Sequence, residues 1–214
     1  MAYGYGPPPK PVEEILTALR DGLARGYRAE YLPVHRRSPR RTRRLRRIQG
    51  WIRETGRLLS QIDRVVRETL PRIEQDTGHT FHDPDGLFRI LMDSSAKRLF
   101  SGIRAGFPEP ALPVPVWDLE TLANLPDGAH AAAIIGDVTL QVKVLSGGHV
   151  KAAGLAALAD RWGLPGSRIG SPASEPPVQE KEFLARAVLG HLYVDGGTDA
   201  LRAVVPLLAC GREG

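Results

Sequence analysis

Ile52, Leu58, Leu59, Ile62, Val65, Val66, Leu70 and Ile73 recur at the spacing of one face of an α-helix. A stripe this long can be buried only against other elements, so the chain is committed to helices packing on helices. Pro71 falls inside the stripe and predicts a kink or a split there. A second stripe, Val12, Ile15, Leu16, Leu19 and Leu23, predicts a helix over 12–26 that ends near Gly26, with Asp21 and Arg25 pairing on its outer face. Residues 27–40, with Pro33 and Pro39, read as irregular, and residues 1–11 as a disordered leader rich in Tyr, Gly and Pro.

Further along, Gly78 stops a helix, and Asp83 is an N-cap with Pro84 at the first helical position. The helix that follows carries Leu87, Phe88, Ile90 and Leu91, and later Leu99 and Phe100. Pro108, Pro110, Pro113 and Pro115 make 102–116 an extended loop. Helical patterns resume over 118–125, 129–145, 155–162 (ended by Gly163), 179–193 and 198–208, the last two separated by Asp195, Gly196 and Gly197. Trp117, Leu119 and Leu122 are expected to pack onto the core. No strand alternation and no internal repeat appears, so the predicted class is all-α.

Charge is distributed unevenly. The 214 residues hold 29 Lys and Arg against 24 Asp and Glu, a net charge of +5. Eight arginines fall within twelve residues: Arg36, Arg37, Arg40, Arg41, Arg43, Arg44, Arg46 and Arg47. Without those eight, 21 cations face 24 acids, a balance of −3. A slightly acidic body with a concentrated cationic strip points to a polyanion contact localised in the strip. Solvated helix faces usually mix signs, and no acid interrupts this one. Guanidinium groups match phosphate geometry, and such a strip gives salt-sensitive, sequence-independent nucleic-acid binding. A nuclear-targeting tract or contact with an acidic protein are the competing readings. Trp51, just past the strip, either stacks on a base or packs against its own domain.

No apolar run approaches the roughly 20 residues that span a bilayer, so no membrane partner is expected. The single cysteine, Cys210, cannot form an internal disulfide. Together with the lack of a secretory signal, this suggests an intracellular location, with nucleus, cytoplasm and mitochondrion all open. His79, His82, His130, His149 and His191 lack metal-ligand spacing and read as incidental.

Three segments, in order, resemble the ribonuclease III family. Gly78-His79-Thr80-Phe81-His82-Asp83-Pro84, followed by Leu87, is similar to its opening motif. Ile134-Ile135-Gly136-Asp137-Val138-Thr139-Leu140 is similar to its signature helix. Ala187-Val188-Leu189-Gly190-His191-Leu192-Tyr193-Val194-Asp195-Gly196-Gly197 is similar to its last helix. Leu155 to Leu164 adds a weaker likeness between the last two. The resemblance covers residues 62–208 and is closest to short single-domain fungal members. Residues 1–61 form a leader, helix and arginine-rich extension outside it, and 209–214 a tail.

That resemblance implies a ribonuclease III-type helical domain preceded by a basic extension. The family cleaves double-stranded RNA with Mg²⁺ held by carboxylates. Aligned on the motifs, Asp137 keeps one ligand position. Others fall at His130 and at Ala133, Phe183 and Arg186, where the acids are lost. A lone carboxylate cannot assemble a Mg²⁺ site, and Arg186 places a fixed positive charge where the cation would sit. Asp137 is expected to pair with Arg186 or to cap a helix. The implied protein is a catalytically degenerate member that binds structured or double-stranded RNA, with no cofactor expected. It would pair as a homodimer, or with a related domain, through the apolar helix at Ala131, Ala132 and Ala133. Two alternatives stand beside it. One is a divergent metal-dependent endoribonuclease using Mg²⁺, Asp137 and Glu182; Glu180 and Glu182 both lie one turn or less from the expected ligand positions, and Glu182 is the better candidate. The other is a protein-interaction scaffold with a nuclear-targeting arginine tract.

Overall fold

The computed structural model describes residues 10–31, 38–107, 111–123, 152–170 and 175–209. Over them the chain is helical, as the apolar period requires, and the one β-type pairing is an isolated parallel bridge between Met92 and Ile169. The helices are α1 (Val12–Tyr31), α2 (Pro39–Arg64), α3 (Leu70–Thr77), α4 (Asp85–Leu91), α5 (Ser94–Gly106), α6 (Val116–Ala123), α7 (Ala152–Arg161) and α8 (Val178–Ala209). They form two compact units, residues 1–60 with 95–125 and residues 61–94 with 126–214. The expected helix over 129–145, with His130, Ala133 and Asp137, lies outside the described residues, as do Arg36, Arg37, His149 and Cys210.

In the first unit, α1 buries Val12, Ile15, Leu16, Leu19 and Leu23, the stripe read from the sequence. It does not stop near Gly26 but continues to Tyr31. A glycine costs a helix interior only about 1 kcal/mol, and the Tyr27 and Tyr31 rings stack one turn apart at 5.3 Å. Asp21 accepts from Arg20 Nε at 3.0 Å, in place of the expected pairing with Arg25. α1 packs against α6, and Gly22 permits a close approach, since a Cβ there would come within 2.5 Å of the Pro113 side chain. Lys10 pairs with the buried Asp118 at 3.3 Å.

On α6, Leu119 and Leu122 are buried as expected, but Trp117 is 56% exposed. Each residue turns the helix by about 100°, so Trp117 points nearly opposite to Leu119. α5 outlasts its expected end because the first proline after it is Pro108, and Phe100 and Ile103 both lie on its buried face. Met92 is extended (φ −74, ψ 119) and divides what the sequence suggests is one helical run into α4 and α5.

In the second unit the long stripe splits at Pro71. α2 gives way to a π-helical turn, Val65–Thr69, and α3 follows with Pro71 in its first turn. Proline has no N–H to donate, and its ring crowds the carbonyl one turn back; the wider turn relieves both. Val65 stays buried while Val66, counted in the apolar stripe, turns to solvent at 42% exposure. α7 lies along α8, which also meets α3 and α4. α7 ends at Gly163, whose φ of 68° suits a residue without Cβ. α8 is broken at Gly197 (φ 67, ψ −159), within the break expected over 195–197.

Trp162 is fully buried, and its indole N–H donates to Asp76 Oδ2 at 3.0 Å. Arg161 grips the same carboxylate through Nε at 2.6 Å and Nη2 at 2.7 Å. The bond from Arg161 lowers the Asp76 pKa most; partial burial opposes it and the indole bond reinforces it.

Replacing Asp76 with Ala strands the buried indole N–H, and an unfolding free energy lower by about 1–3 kcal/mol is expected from the denaturant midpoint. The acid limb gives a second check. Unfolded, Asp76 titrates near 3.8, and the folded value is lower. Its contribution is therefore full above that pH and is lost as pH falls through the folded value. Asp76→Asn should lose stability at pH 7 and show a shallower decline in acid than the wild type.

Candidate nucleic-acid interface

α2 begins where Ser38 accepts the Arg41 N–H on its hydroxyl at 3.3 Å, with Pro39 in the first turn. Leu45 and Ile48 turn inward and are buried. Arg40, Arg44, Arg47 and Trp51 follow one another at three- and four-residue steps on another face, with Arg43 flanking the row one turn from Arg40 and Arg47. At 1.5 Å per residue that row extends about 16 Å. Together with Phe107 it lines an open cavity of about 1110 Å³.

Two of the arginines are tied down. Arg41 Nη2 donates to the Glu30 carbonyl at 2.7 Å, and Arg44 Nη2 pairs with Glu30 Oε1 at 3.0 Å. The Arg44 guanidinium also lies 5.7 Å from the centre of the Phe107 ring. Arg40, Arg43, Arg46 and Arg47 are exposed and have no ion-pair partner among the described residues. The first turn of α2 holds no acid. Cations there oppose the helix dipole, a local cost that a bound anion would relieve.

Trp51 packs within its own unit, the plainer of its two sequence readings. Its ring is 5.7 Å from Phe107 at a 44° tilt, and it covers Gly106, where a Cβ would fall 2.3 Å from the indole. Phe107 has no signal in the sequence, because nothing in its neighbours indicates that it meets α2.

The carboxylate candidates lie on α8. Glu182 pairs with Arg186 one turn on, Phe183 is half-buried, and Glu180 pairs with Arg168. Arg186, the expected partner of Asp137, is thus held by Glu182 among the described residues, and its buried Nε has no acceptor among them. Asp137 and Ala133 lie outside the described residues.

Among the described residues, one group of three side chains brings a potential ligand atom from each to within 4.8 Å of the others: His79, His82 and Asp195. Gly78, with φ 62°, ends α3 and donates its N–H to Glu74 at 2.8 Å. The loop that follows closes onto Asp195, whose Oδ2 accepts the His82 N–H at 3.0 Å and whose Oδ1 accepts the Asp83 N–H at 3.2 Å. His79 Nε2 lies 2.7 Å and His82 Nδ1 3.3 Å from Oδ2. Burial pushes the Asp195 carboxyl upward, but these bonds together outweigh it and hold the group well below the usual carboxylate range. His191 stacks on Phe81 at 5.2 Å and donates to the Asp83 carbonyl at 2.9 Å. By sequence, His79, His82 and His191 read as incidental. Ligand spacing along one element cannot reveal them, because Asp195 arrives from 113 residues beyond His82. The available signal is that these residues sit in the first and third family-like segments.

Comparison of the chain with protein-family models, with curated proteins and with solved structures finds no match in any of the three. No helix of the described residues is long and apolar enough to cross a membrane.

A methyl group at position 106 would occupy the space of the Trp51 ring. Because the edge of a side chain must move rather than backbone, Gly106→Ala is expected to cost about 1 kcal/mol and to shift tryptophan emission toward the red, both read in one denaturant titration.

Proposed function

We propose that this chain is a catalytically degenerate ribonuclease III-like protein that binds structured or double-stranded RNA through the arginine face of α2. The observation that carries this reading is the set of exposed arginines, Arg40, Arg43, Arg46 and Arg47, without ion-pair partners among the described residues. They sit at a helix start with no acid in its first turn, on a chain otherwise slightly acidic. A polyanion supplies the missing counter-charge over the length of the row, which a single acidic side chain does not. The family likeness rests on the three sequence segments. That the first and third meet at Asp195 supports reading them as parts of one domain. The ion pair of Glu182 with Arg186 supports the degenerate state, since a carboxylate held by a guanidinium is a poor Mg²⁺ ligand. Association through the segment around Ala131–Ala133, as a homodimer or with a related domain, belongs to the same proposal.

The test is a titration of purified protein with long double-stranded RNA across a salt series, with and without Mg²⁺ or Mn²⁺. Binding without cleavage, weakening steeply with salt, is expected. The variant combining Arg40→Gln, Arg43→Gln and Arg47→Gln should weaken binding evenly across RNA sequences. It should also reduce the slope of log affinity against log salt by roughly one unit for each phosphate that is no longer neutralised. Metal-dependent cleavage abolished by Asp137→Ala would instead favour the divergent nuclease. Neither binding nor cleavage would leave the scaffold with a nuclear-targeting tract.

A further inference from the structure

We propose that His79, His82 and Asp195 form a binding site for a divalent transition-metal ion of the zinc type. The site rests on residues of the second unit alone and is independent of the RNA reading.

Geometry is the first argument. The three ligand atoms, one from each residue, lie within 4.8 Å of one another. A tetrahedral zinc ion with ligands near 2.0–2.1 Å separates them by about 3.3 Å. His82 Nδ1 and Asp195 Oδ2 already stand 3.3 Å apart. His79 Nε2 and Oδ2, at 2.7 Å, need to open by only about 0.6 Å.

The donor set selects the ion. Two imidazole nitrogens and one carboxylate oxygen suit Zn²⁺, Co²⁺ or Ni²⁺, whereas Mg²⁺ and Ca²⁺ require oxygen-rich shells. Three protein ligands leave one tetrahedral position to solvent. The His82 side chain is 81% exposed, which gives an ion a path inward, while Asp195 at 7% and His79 at 16% form a sheltered floor.

The surroundings are shaped for imidazole. A Cβ on Gly196 would come within 2.6 Å of the His79 ring, so glycine makes the room that ring occupies. Asp195 is also fixed independently of the histidine rings: the backbone N–H groups of His82 and Asp83 bond its two oxygens at 3.0 and 3.2 Å. The carboxylate is therefore oriented before any ion arrives.

Calorimetric titration of the tag-free full chain with Zn²⁺, repeated with Mg²⁺, tests the assignment, with Co²⁺ absorption as the spectroscopic probe. One equivalent of Zn²⁺ and a tetrahedral Co²⁺ spectrum are expected, with no heat from Mg²⁺. His82→Ala is the decisive variant because its exposed side chain carries little packing. Loss of an outer-shell partner alone costs metal sites roughly 10–100-fold. His82→Ala should therefore weaken Zn²⁺ binding at least about tenfold with an unchanged circular dichroism spectrum. No saturable Zn²⁺ binding by the wild type would overturn the proposal. So would wild-type affinity retained in both His82→Ala and His79→Ala, or binding lost in Cys210→Ser instead.

Discussion

An α-helix turns about 100° with each residue, so it offers one face to a core and must give the others to solvent. Most of the local outcomes in this chain follow from that limit. On α2 it directs Leu45 and Ile48 inward and leaves Arg43, Arg46 and Arg47 exposed. On α6 it buries Leu119 and Leu122 and turns Trp117 out. Where the sequence asks for more than a helix allows, the helix changes. Pro71 interrupts the longest apolar stripe, and the π-helical turn Val65–Thr69 absorbs it by giving up the burial of Val66.

In the second unit, polar side chains fasten what the apolar faces assemble. Asp76 gathers the indole of Trp162 and the guanidinium of Arg161, joining the end of α7 to α3. Asp195 gathers the loop after α3 onto α8 by accepting two backbone N–H groups and facing two imidazoles. The break at Gly197 follows two residues later, so the carboxylate sits at the end of the first straight part of α8. A buried carboxylate with that many donors is held as an anion, and the same charge and orientation are what a metal ion requires.

The two candidate sites have different physical characters. The arginine face of α2 is open, cationic and adaptable, suited to a ligand recognised by charge density more than by shape. The group around Asp195 is small and directional, suited to a single ion with defined coordination. Neither requires the carboxylates expected of a nuclease. Glu182 and Glu180, the acids on α8 nearest to the positions that the resemblance to ribonuclease III would assign to metal ligands, are each engaged by an arginine.

Local chemistry was enough to establish the helical class, most of the buried stripe positions, the stops at Gly78 and Gly163, and the break before Thr198. Each is a matter of backbone preference or apolar period within a few residues. The cationic strip was equally legible, because charge density needs no fold to be counted. Folding in three dimensions settled the rest: that α5 and α6 pack in one unit with α1, that Phe107 meets Trp51 and Arg44, and that Asp195 closes on His79 and His82. Those outcomes depend on contacts between residues far apart in the chain, where no local period carries information. The helix end at Tyr31 escaped the sequence for a related reason. A glycine permits a helix to stop without compelling it, and the stacked Tyr27 and Tyr31 rings accompany the turn that continues past Gly26.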